Sequence, residues 1–150
     1  MKQNLLKTII FLLACMPHAF ASELSNDELQ TASECLPHSD YDYKRLLIGQ
    51  WRFEDLLVHK NNQYYTNIEF GTTGTVKMTM FDINNFSQIF NEAYGYYDVK
   101  NSNIIITFYN ETRSEIGLAN NEAYVFSLNC ACPNKAIVNF RSFEYVMGRV

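Results

Sequence analysis

Leu46-Leu47-Ile48-Gly49-Gln50-Trp51-Arg52-Phe53 is the stretch that decides the fold of this 150-residue chain. Leu47, Gly49, Trp51 and Phe53 fall on one face while Gln50, Arg52 and Glu54 take the other, the alternation of a half-buried antiparallel strand. A glycine two places before a tryptophan lets the chain enter the strand tightly as the indole turns inward, where it plugs one end of a small barrel.

The same period of two continues downstream. Residues 64–70, 75–81, 93–100, 103–109, 122–130 and 136–147 are expected as strands, with Val76, Met78 and Met80 facing in and Lys77 and Thr79 facing out. Turns are expected at Asn61-Asn62, Gly71 to Gly74, Asn101-Ser102-Asn103 and Cys132-Pro133-Asn134-Lys135. An eighth strand is sought in residues 83–91 or 113–118. No long helical segment interrupts the series, so parallel crossover units are excluded and the expectation is an all-β, antiparallel up-and-down barrel of about eight strands. Closure removes the edges that an open meander would present.

Ahead of the barrel, Lys2 and Lys7 flank a basic start, residues 9–16 are apolar, and Ala19-Phe20-Ala21 is a small-x-small cleavage site. These are the parts of a secretory signal peptide over residues 1–21, and the apolar run is too short to span a bilayer. A competing reading takes Leu12-Leu13-Ala14-Cys15 as a lipobox, which leaves a lipid anchor on Cys15; the well-formed site at Ala21 favours cleavage. Residues 22–45 then form a helix and linker, with Ser25-Asn26-Asp27-Glu28 as a capping box, Leu24 and Leu29 as a staple and Pro37 as the stop. Residues 37–43 read as a loop with one helical turn before Leu46. The barrel occupies residues 46–150.

Charge and cysteine content narrow the function. Twelve basic residues stand against sixteen acidic ones, and the signal segment removes two of the former and none of the latter. An acidic exported chain without a basic cluster is no nucleic-acid binder. Cys35, Cys130 and Cys132 remain after cleavage in an oxidising compartment. Cys130 and Cys132 in one extended strand lie near the upper limit of disulfide reach, so Cys35 is expected to bridge to one of them, closing a loop of about 95 residues worth on the order of 4 kcal/mol. Cys130-Ala131-Cys132 lacks the spacing of a redox motif, and His38 and His59 have no periodic relation to it; no metal and no cofactor are expected.

Leu46 to Phe53, then Ile68-Glu69-Phe70-Gly71-Thr72-Thr73-Gly74-Thr75-Val76, then Tyr96-Tyr97-Asp98-Val99-Lys100-Asn101-Ser102-Asn103-Ile104-Ile105-Ile106, resemble the small bacterial lipocalin-like domains in order and spacing. The resemblance covers roughly residues 43–109. It implies an arginine stacked on Trp51 at the closed end, a role given to Arg141 in the final strand ahead of Arg149. Such a pair is structural rather than a ligand site.

Catalysis is not expected: His38, His59, Glu54-Asp55 and the pair Glu111 and Glu115 have no nucleophile or facing carboxylate in a recognisable frame. Two roles remain. In the first, Phe53, Met78, Met80, Tyr97 and Phe126 line a cavity for a small hydrophobic ligand or acyl chain in the bacterial periplasm, although the same stripe would also serve as packed core. In the second, the barrel is a rigid scaffold that inhibits or accompanies a protein partner through Tyr41, Tyr43, Tyr64, Tyr65, Tyr94, Tyr96, Phe86 and Phe90 on an acidic surface.

Overall fold

A computed structural model describes residues 38–150, which lie in one compact unit. The signal segment, the helix expected over residues 25–35 and Cys35 fall outside the described residues. The first element is helix α1, Asp40–Leu47. Ser39 caps it by accepting from the Asp42 N–H at 3.2 Å, and acids in the first turn with Lys44 and Arg45 in the last complement the helix dipole. The sequence reading allowed this segment a single turn. Ser39 three places before Asp42 is the capping signal it passed over, and Tyr43 and Leu47, one turn apart, are the apolar stripe that buries the helix.

Nine strands follow: β1 Gly49–Phe53, β2 Leu57–His59, β3 Asn62–Phe70, β4 Thr75–Asp82, β5 Asn85–Lys100, β6 Asn103–Glu111, β7 Ala123–Ala131, β8 Lys135–Phe140 and β9 Phe143–Arg149. Every pairing is antiparallel, and β1 bonds to both β9 and β3, which closes the sheet. Because β1 and β2 lie end to end along β3, the barrel has eight staves. The expected all-β, antiparallel up-and-down barrel of about eight strands is therefore the fold, preceded among the described residues by α1.

Three details differ from the sequence reading. Residues 136–147 are two strands, not one, joined at Arg141 and Ser142, whose φ values of 49° and 70° make a hairpin turn that follows the strand twist. Lys60-Asn61 and Asn101-Ser102 turn in the same way. Residues 83–91 add no separate strand; from Asn85 they lengthen β5 to sixteen residues. Residues 113–118 hold only a short 3-10 turn, Ser114–Ile116.

The inward set is mostly apolar, Thr66 in β3 being an exception. Ile68, Phe70, Ile104, Ile106, Phe108, Val138 and Met147 are at most 1% exposed. Gly95 marks a register shift in β5 where the neighbouring backbone comes too close for a side chain, since an added Cβ would lie 2.3 Å from the Thr107 carbonyl oxygen. Gly95→Ala is expected to cost about 1 to 3 kcal/mol, read as a lower urea midpoint at unchanged m-value.

The outer wall carries an ion pair with a pH signature. Lys77 Nζ lies 2.6 Å from Glu92 Oε1, and the Tyr94 hydroxyl donates to Glu92 Oε2 at 3.0 Å. The Lys77 hydrogen bond, opposed by burial and aided by Tyr94, holds the Glu92 carboxyl below the ordinary glutamate range. A depressed folded-state value contributes stability above the unfolded pKa and loses it as pH falls through the folded one. Wild type is thus expected to exceed Glu92→Gln by no more than about 1 kcal/mol at neutral pH, an advantage that begins to shrink in urea titrations as the pH falls below the ordinary glutamate value of about 4.3.

Candidate functional site

The two ends of the barrel are built differently. At one end, helix α1 packs against β5 and β7, and the Asp40 carboxylate accepts the Asn101 and Ser102 N–H groups at 2.7 and 2.8 Å. Three carbonyls at the C-terminal end of α1, where an α-helix leaves such groups unpaired, are taken up by side chains. The Trp51 indole N–H donates to Leu47 O at 2.7 Å, and Arg149 donates to Ile48 O at 2.6 Å and Leu46 O at 3.0 Å. The Arg149 Nε donates to Pro133 O at 2.9 Å, and its guanidinium lies 4.3 Å from the Trp51 ring centroid. Trp51 is fully buried.

The stacked arginine is therefore Arg149 and not Arg141. Trp51 pairs directly with Arg149 across β1 and β9, whereas Arg141 sits in the β8–β9 turn and lies over Phe140 at 5.1 Å. Gly49 belongs to the same seal. Its φ of 120° suits only glycine, and a Cβ there would meet the Arg149 guanidinium at 2.5 Å.

The other end holds a cavity of about 290 Å³. Phe53, Met78, Met80 and Phe126 line it together, with Thr66, Phe108 and Tyr145; Leu57, Leu118 and Tyr124 also border it. Below Phe53 and Phe126 the interior is filled by Ile68, Ile104, Ile106 and Val138, leaving a gap of about 10 Å³. Four of the five expected ligand residues thus meet in one place. Tyr97 does not: its hydroxyl donates to Gly71 O at 3.1 Å, its ring stands edge-on to Phe70 at 4.8 Å, and Lys44 lies 5.7 Å from its centroid. Alternation put Tyr97 on the correct face but not at the correct height.

Sequence reasoning passed over Phe108, Tyr124, Phe140 and Tyr145 of the aromatic wall, the last two from the unrecognised hairpin. Phe126 stacks on Phe140 at 4.8 Å, Phe53 meets Tyr145 edge-on at 6.2 Å, and Tyr124 lies between Phe108 and Phe140. The loop carrying Leu118 is fixed by Glu111, whose carboxylate accepts from the Gly117 and Leu118 N–H groups at 3.0 and 2.9 Å. Glu115 instead pairs with Lys60 at 2.9 Å, so these two acids do not face each other across a cleft. His59 packs against Phe90. Among the described residues no three His, Cys, Asp or Glu side chains gather as a metal-holding group.

No family model and no curated protein matches the sequence. The solved structures do better. A lipocalin-like protein from Bacteroides uniformis superposes with a TM-score of 0.53 at 11% identity, over 70% of this chain and 99% of that one. The fold is the one that protein has, a lipocalin-like barrel. An uncharacterized protein from Bacteroides eggerthii is similar in the same way, with a TM-score of 0.51, 16% identity, and coverage of 69% and 99%.

The exposed aromatics of the lipocalin-like barrel are fewer than the sequence suggests. Tyr43 and Tyr64 are buried, Tyr64 stacking on Phe90 at 4.0 Å, and Tyr65 and Tyr94 are half-buried under Arg52 and Lys77. Tyr41, Tyr96 and Phe86 stay exposed, joined by Tyr109 and Phe143. Among the described residues no helix is long and apolar enough to cross a membrane.

Proposed function

We propose that this chain is an exported binding protein of the bacterial periplasm, non-catalytic, whose barrel takes up a small hydrophobic ligand or acyl chain. The observation that carries the reading is the 290 Å³ cavity, near the lower end of small-molecule sites and lined almost wholly by apolar side chains. Methionines among its walls suit ligands of irregular shape. Displacement of the fluorescent probe N-phenyl-1-naphthylamine from the purified protein tests it: saturable binding of the probe, competed by octanol, is the expected result, and no binding removes the reading.

An oxidising destination goes with a Cys35–Cys130 bridge. In the β7–β8 corner Cys132 is a buried free thiol while Cys130 is engaged, and this supports Cys130 as the partner. Non-reducing peptide mapping of protein from the exporting host is expected to return a Cys35–Cys130 link with residues 1–21 absent; a Cys130–Cys132 or Cys35–Cys132 link contradicts the assignment. The scaffold reading keeps one supporting observation, the Tyr96 and Tyr109 rings 5.1 Å apart on the outer wall, each more than half exposed. It ranks second because Tyr43 and Tyr64 belong to the core.

A further inference from the structure

We propose that the cavity selects by charge, admitting apolar molecules with a positively charged head and rejecting those with a carboxylate or phosphate head; this rests on the ligand-binding reading above. Asp55, in the connection between β1 and β2, is exposed at the cavity lip and is the one charged residue among those lining it. Lysine and arginine are absent from that lining. Inside, Thr66 is 7% exposed and brings the one threonine or serine hydroxyl of the lining. A lone hydroxyl satisfies one uncharged polar group but supplies no counter-charge, so an anionic head drawn inward loses water without compensation.

Tyr124, which also borders the cavity, feels a field of the same sign. Burial pushes the pKa of the Tyr124 hydroxyl up and so keeps it protonated, and the charges of Glu122 and Glu111 push it further against the opposing pull of Arg141. A head left at the mouth therefore meets the Asp55 carboxylate and no lining cation, an arrangement that attracts ammonium and repels carboxylate. The volume holds about ten water-sized atoms, which matches a chain of about eight carbons.

The test uses the full mature protein, N-phenyl-1-naphthylamine as reporter, and three competitors of equal chain length: octylamine, octanol and octanoate. At neutral pH octylamine is expected to bind about three- to tenfold tighter than octanol and octanoate at least about tenfold weaker than octylamine, with the gap narrowing in high salt. In Asp55→Asn the octylamine-to-octanol ratio is expected to fall toward one. Octanoate binding as well as octylamine, or a ratio unchanged in Asp55→Asn, overturns the charge selection while leaving the ligand reading in place. Failure of octanol and the probe alike overturns both.

Discussion

Trp51→Ala is expected to lower the unfolding free energy by about 3 to 5 kcal/mol, the largest single-residue loss in the barrel. The ring is fully buried, its N–H closes the Leu47 carbonyl, and its face carries the Arg149 guanidinium. Truncation leaves a void, an orphaned carbonyl and an unstacked cation together. Arg149→Lys is expected to cost about 1 to 3 kcal/mol, because an ammonium cannot reproduce the planar fork that reaches Ile48, Leu46 and Pro133 at once. The double variant is expected to fall short of the sum, since both side chains serve one helix terminus. Arg141→Asn is the contrast: at a φ of 49° asparagine is well tolerated, and the urea midpoint is expected to stay within about 0.5 kcal/mol of wild type. If Arg141→Asn unfolds the protein and Arg149→Lys does not, the assignment of the seal is wrong.

The second large effect is on binding. Met80→Trp places an indole where the cavity now lies and is expected to weaken N-phenyl-1-naphthylamine by at least about tenfold, or 1.4 kcal/mol, with a stability change of no more than about 3 kcal/mol. Tyr97→Phe loses the bond to Gly71 O, worth about 1 kcal/mol of stability, yet is expected to leave probe affinity at the wild-type value because Tyr97 lies at the sealed end. Titration of both variants at matched folded fraction separates lining from distance. Equal loss in the two would mean that the probe sits elsewhere.

These contrasts show what the sequence could and could not tell. Period-two patterning identified the strands and the inward faces, because apolar alternation is a local property of each stave: Trp51, Val76, Met78 and Met80 are all buried as read. Height along the barrel is not local. It depends on register, which turns fix, and the Arg141-Ser142 turn has neither glycine nor asparagine to announce it. Missing that hairpin cost the reading Phe140 and Tyr145 from the cavity wall and moved the arginine contact from residue 149 to residue 141. Helix α1 was underestimated for a related reason: eight residues give little periodicity, and its burial comes from the barrel end that it covers.

The reach of Arg149 has a kinetic consequence. Its guanidinium meets a carbonyl 101 positions earlier in the chain, and β1 finds its second neighbour only in the final strand. Seven staves can zip pairwise through short connections, but the cylinder stays open along one seam until the closing segment docks. Closure that waits on so remote a pair makes late, slow consolidation the expected course of folding, with the indole exposed to water until the last step.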